Sequence, residues 1–174
     1  FATARVSHPV LFKKIGDHIT RLKSLDSFND QNLSNTAWAY ATARWFDRRL
    51  FEKIVAEAAF RKDDFVQTQH MATFLWACAT IGYANERFST FAPVITPKLD
   101  KCNGQDLANI AWAYSVANVP SQDLFNQDFI QACASKENTF IDENLSQLHQ
   151  WQLWQQELRS GIELPKSLQE KCRN

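Results

Sequence analysis

Glycine is scarce in this chain: Gly16, Gly82, Gly104 and Gly161 are its only four among 174 residues, and they are scattered. That excludes a glycine-rich loop that would cradle phosphates through its backbone N–H groups. The four cysteines, Cys78, Cys102, Cys133 and Cys172, lie far apart with no CxxC pair. Neither a disulfide framework nor a paired-cysteine metal site fits that spacing, and reduced thiols are expected. The four histidines show no HExxH spacing, and no nucleophile elbow occurs. No apolar run approaches the roughly 18 residues of a membrane span. Methionine occurs once, at Met71, so there is no start methionine, and no signal or transit peptide is visible. The native N-terminus is expected to lie upstream.

Charge of one sign is also missing, since 19 basic and 19 acidic side chains cancel. The balance argues against generic nucleic-acid binding. The distribution is uneven, with residues 1–64 holding 11 basic and 8 acidic groups, a net of +3. Arg44, Arg48, Arg49, Lys53, Arg61 and Lys62 carry this excess. A solvated helix face is the simplest account of such a cluster. The carboxylate pairs Asp63-Asp64 and Asp142-Glu143 fall between repeating segments, where helix capping explains them. No catalytic constellation remains, and the chain is expected to be neither an enzyme nor a holder of metal or cofactor.

What the chain has is repetition. Leu33-Ser-Asn-Thr-Ala-Trp38-Ala-Tyr40-Ala returns as Met71-Ala-Thr-Phe-Leu-Trp76-Ala-Cys78-Ala and as Leu107-Ala-Asn-Ile-Ala-Trp112-Ala-Tyr114-Ser. A worn fourth copy starts at Leu145. The starts are 38, 36 and 38 residues apart. Phe1-Ala-Thr-Ala-Arg5 matches Tyr40-Ala-Thr-Ala-Arg44, so the chain is expected to begin inside a repeat. Self-similarity at such a period predicts an all-α fold: a right-handed α-solenoid of stacked helical hairpins with a repeat of about 37 residues. We read one solenoid segment over 1–174. It comprises a partial repeat at 1–27, repeats at 28–64, 65–101 and 102–139, and an atypical terminal repeat at 140–174 that precedes a further C-terminal domain.

Within one repeat, Asn29 and Asn103 are N-cap residues, because an asparagine oxygen accepts from the first free N–H groups of a helix. A first helix is predicted over about 30–44 and a second, opened by Asp47, over 48–61, where Leu50, Phe51, Ile54, Val55 and Ala58 recur at helical spacing. Pro93 and Pro97 break the second helix of the next repeat into a short helix over 86–91 and a restart. The last segment reads as a helix over 142–159, a cap near Gly161 and a short helix begun by Pro165. The sequons at Asn32 and Asn144 share one helical repeat position and read as coincidence rather than glycosylation sites.

On a wheel of 100° per residue from Leu33, Thr36, Ala37, Tyr40 and Ala41 fall within about 80° and form the buried face. Trp38, near 140° on the same wheel, lies on a flank that meets the adjoining repeat, with base stacking as its other reading. The outward slots hold Asn32 and Asn35, His70 and Thr73, Asp106 and Asn109, and Asn144 and Gln147. Short amide side chains offer a donor beside an acceptor, which suits base edges, and one-base-per-repeat readers use two or three side chains per unit. These eight residues are the candidate base contacts, with mere solubility of the face as the alternative. Arg5, Arg44, Arg48 and Arg49 are the candidate phosphate contacts.

The phrases at Leu33–Ala41 and Leu107–Tyr114 resemble the heptatricopeptide-type helical repeats of organellar RNA-binding proteins. These include FAST-kinase-domain-like leucine-rich proteins and relatives of the RNA-editing substrate-binding complex. The run from Leu145, followed by Glu163-Leu-Pro-Lys-Ser-Leu-Gln169, resembles the segment those proteins place before a RAP domain. The resemblance implies single-stranded RNA as partner, messenger or ribosomal, and a role in RNA processing, stability or ribosomal RNA maturation. It implies the mitochondrial matrix or the chloroplast stroma, and no membrane. The alternative expectation is a protein-interaction scaffold among ribonucleoprotein subunits.

Overall fold

The computed structural model describes residues 8–84 and 86–173, and every regular element among them is helical. Arg5 lies outside the described residues. In chain order the α-helices are α1 (Pro9–Arg21), α2 (Asp30–Thr42), α3 (Arg48–Phe60), α4 (Thr68–Thr80), α5 (Ala92–Ile95), α6 (Gly104–Ala117), α7 (Gln127–Ser135), α8 (Asp142–Glu157) and α9 (Lys166–Lys171). Short 3-10 segments at Glu86–Phe91 and Thr96–Lys101 flank α5. Pro93 and Pro97 each sit in the first turn of the segment they open, where a missing N–H costs nothing.

The chain divides into two compact units, 1–84 and 85–174. In the first, α2 lies along α4, and α3 packs on both α1 and α2. Leu33, Ala37, Tyr40 and Ala41 of α2 are buried, as are Leu50, Phe51, Ile54, Val55 and Ala58 of α3. Full burial of each large apolar side chain contributes about 1.5–3 kcal/mol. In the second unit α6 lies along α8. Its centre is aromatic: Phe125 meets Phe129 and Trp151 at centroid distances of 5.1 and 5.3 Å.

Caps fix the helix starts. The Asn29 Oδ1 accepts the Asn32 N–H at 2.8 Å, and the Asn32 Oδ1 accepts the Asn29 N–H at 3.1 Å. Asn103 and Asp106 make the same reciprocal pair at 2.9 and 3.2 Å. Helices α2, α4, α6 and α8 also end alike. Each closes on a residue with positive φ, namely Arg44, Gly82, Asn118 and Arg159. The next N–H then reaches back five residues: Trp45 to the Tyr40 carbonyl, Tyr83 to Cys78, Val119 to Tyr114 and Ser160 to Gln155. This Schellman geometry satisfies carbonyls that a helix end leaves open. The stop of α8 is therefore Arg159, two residues before the expected Gly161.

Two tyrosines tie their helices to neighbours. The Tyr40 hydroxyl donates to the Phe12 carbonyl, and the Tyr114 hydroxyl to the Phe88 carbonyl, both at 2.6 Å. Burial first, and the nearby Asp47 carboxylate second, push the Tyr40 phenol up to about 12.

Candidate nucleic-acid interface

Asn32, Asn35 and Trp38 converge on one groove. They lie one turn apart on α2 and line a cavity of about 770 Å³, whose other wall is Leu11, Phe12 and Ile15 of α1. Asn32 and Asn35 are exposed and Trp38 is half-buried. The Asn32 oxygen is engaged in its cap, which leaves the amide N–H groups. Asn35 makes no side-chain hydrogen bond among the described residues, so its donor and acceptor both face outward. The groove therefore offers an aromatic edge and amide groups over an apolar floor. That combination accommodates a planar, hydrogen-bonding ligand.

The other outward slots are occupied differently. His70 Nδ1 lies 2.9 Å from the Asp30 Oδ2, joining α4 to α2. Burial opposes ionisation of Asp30, but the His70 imidazole and the Gln31 N–H outweigh it and hold that carboxyl below its ordinary range. Thr73 is half-buried. Asp106, Asn109 and Asn144 depart from the expectation of outward-facing base contacts, because all three are buried. Asp106 completes the α6 capping box. The Asn144 oxygen accepts the Ile141 N–H at 3.3 Å and starts α8. The Asn109 oxygen accepts from the Gln147 amide at 3.1 Å.

The reason is geometric. α6 and α8 lie side by side about one sequence period apart, so slots that are outward on an isolated wheel face the neighbouring helix. A line of hydrogen bonds runs along this seam. Besides Asn109–Gln147, the Trp112 indole donates to the Gln150 oxygen at 2.9 Å and the Trp154 indole to the Asn118 oxygen at 3.0 Å. The Trp112 indole is thus joined to α8. The burial of Asn144 also removes its sequon from solvent in the folded chain.

The arginines cluster at the α2–α3 corner. Arg44 is exposed at the left-handed end of α2 and makes no ion pair among the described residues. Arg48 Nε pairs with Glu52 Oε1 at 2.8 Å, and Arg49 Nη2 with Asp17 Oδ1 at 3.2 Å. The hydrogen bond from Lys13, with Arg21 and Arg49 assisting, holds the Asp17 carboxyl below its usual value. These pairs lie at the surface, where water and salt screen them, so a phosphate can compete for both arginines.

Among the described residues no group of histidines, cysteines and carboxylates is placed to hold a metal ion. No described helix is long and apolar enough to cross a membrane. None of the four cysteines is joined in a disulfide, and burial pushes the thiols of Cys78 and Cys133 well up. No protein-family model and no curated protein matches the chain.

Proposed function

We propose that this chain is a segment of a right-handed α-solenoid, with a repeat of about 37 residues, that binds single-stranded RNA. The observation that carries this reading is the α1–α2 groove, where Asn32, Asn35 and Trp38 meet beside apolar surface. The base takes the groove through stacking and amide contacts. Arg44, Arg48 and Arg49 take phosphates and supply the salt-dependent part of the affinity. The protein acts by holding RNA, not by chemistry upon it. The likeness of its repeated phrase to heptatricopeptide-type proteins supports a role in mitochondrial or chloroplast RNA processing, stability or ribosomal RNA maturation.

Binding of the chain to fluorescent single-stranded RNA at two salt concentrations tests the reading. Affinity should fall as salt rises, and charge reversal at Arg44, Arg48 and Arg49 should flatten that slope. Asn35→Ala should weaken binding and relax base preference at one position. If the RNA is not held even at low salt, this reading fails.

One feature favours the scaffold reading. Phe60 and Val66 are 86% and 71% exposed near the α3–α4 turn, an apolar surface that a protein partner would cover. A partner captured on the chain that survives nuclease treatment, and is lost on Phe60→Ser, would support that reading.

A further inference from the structure

Helices α2, α4 and α6 turn the same corner at their ends, so the three corners can be compared position by position. The left-handed residue is Arg44 in the first, Gly82 in the second and Asn118 in the third. Glycine and asparagine take this conformation readily, whereas an arginine is held there at some cost. Two residues further on stand Phe46, Ala84 and Pro120. Alanine and proline show that the corner closes without a large side chain at this position. Arg48 and Arg49 follow in the first corner, against Glu86 and Arg87 in the second and Gln122 and Asp123 in the third. Arg159 closes α8 with the same left-handed turn, but Ser160 and Gly161 come after it. Of these corners, that between α2 and α3 combines an aromatic ring with arginines on both sides in sequence, and the others close without that combination.

Phe46 is also held in place. Its ring lies 6.1 Å from that of Phe51 and 6.4 Å from that of Tyr83, and those two lie 6.0 Å apart. Phe51 is fully buried, so the rings step from the core to the surface, where Phe46 is 51% exposed. A ring anchored from behind loses little freedom when a second flat group lies on it. Cations flank it. Arg44 is exposed and makes no ion pair among the described residues. Glu52 chiefly, with the Tyr83 phenol assisting, favours the charge on Arg48, which sets that guanidinium near the rings. Of the carboxylates here, Asp47 accepts the Leu50 N–H at 3.2 Å as the α3 cap, and Glu52 and Asp17 pair with Arg48 and Arg49. An anchored ring among cations suits a base joined to phosphate, because every base has a face that stacks and arginines meet the backbone. An acidic peptide would answer the arginines and leave the ring in water.

We infer that the α2–α3 corner is a base-stacking platform for single-stranded RNA, with a base on the open side of Phe46 and the adjoining phosphates on Arg44 and Arg48. The inference rests on the RNA reading above and extends it from one base to a path. From Asn35 to the end of α2 at Thr42 the helix rises roughly 10 Å at 1.5 Å per residue, so one strand can occupy groove and corner together. The groove discriminates between bases through its amides, whereas the corner holds any base by its face.

Titration of the whole chain with short labelled oligo(A), oligo(C) and oligo(U) at two salt concentrations, followed by fluorescence anisotropy, tests it. Phe46→Leu keeps apolar bulk and removes the ring. It should weaken all three about tenfold and leave their dependence on salt unchanged. Phe46→Trp has a larger ring and should bind at least as tightly as the parent, and its result decides the matter if Phe46→Leu melts early. RNA bound equally by the parent and Phe46→Leu, or a loss confined to one base, overturns the platform and leaves the groove and its arginines. No RNA bound by the parent even at low salt overturns the platform together with the reading it rests on. A protein partner lost on Phe46→Leu would then mark the corner as a protein-docking surface instead.

Discussion

A left-handed residue other than glycine is held at some cost, and Arg44 is one, with φ of 53°. The αL conformation costs a non-glycine residue roughly 1–2 kcal/mol. Arg44→Gly should therefore raise stability by about 1 kcal/mol, part of the gain being offset by the freer unfolded chain. The same substitution should weaken RNA binding if Arg44 meets phosphate, so thermal melts and binding assays on one variant should move in opposite directions. Asp30 supplies a second residue-scale test. Its carboxyl titrates lower in the folded chain than in the unfolded one. The stability this brings is present above the ordinary carboxylate value of about 3.9 and is lost as pH falls through the lower folded value. Asp30→Asn should melt earlier than the parent at pH 6, and the two should converge in strong acid. Tyr40 has the opposite sign. Its neutral form is favoured up to about 12, so stability should decline once pH passes the unfolded phenol value, near 10. Base titration followed at the phenolate absorption band would show Tyr40 ionising late.

At the scale of the helices, Gly16 and Gly104 mark close approach, whereas Gly82 and Gly161 take positive φ in open space. Gly16 lies inside α1, where alanine would ordinarily be better by about 1 kcal/mol. A Cβ there would stand 2.8 Å from the Asp47 Oδ2 and 3.1 Å from the Tyr40 hydroxyl. Overpacking of that kind costs about 1–3 kcal/mol and outweighs the propensity gain. Gly104 opens α6 against the Thr139 hydroxyl and the Phe140 ring, at 2.7 and 3.2 Å from a built Cβ. Gly16→Ala and Gly104→Ala should both lower the midpoint of urea unfolding. Much of the helical layout was legible. Asn29, Asp47 and Asn103 read as caps and are caps. Pro93 marked a broken stretch and opens one. The destination of the outward slots was not legible. A wheel assigns Asn109 a direction but not a neighbour, and only the α6–α8 seam shows that its amide is spent on Gln147.

At the scale of the whole molecule, the thiols report on folding. Cys172 is half-buried, whereas Cys78, Cys102 and Cys133 are buried. The thiolate is the reactive form, and burial disfavours it at Cys78, Cys133 and Cys172, although only Cys172 is open to solvent. A thiol reagent at mildly alkaline pH should label Cys172 first and reach the other three only as denaturant opens the chain. The same layout has a kinetic side. α2 joins α4 through residues 40 apart, Asp30 and His70, and α6 joins α8 through residues 38 apart, Trp112 and Gln150. Each such pairing closes a loop of about forty residues, and closure entropy grows only slowly with loop length. For α4 and for α8, a ribosome need extrude only about forty residues beyond the partner position before the helix meets the surface that α2 or α6 has laid down.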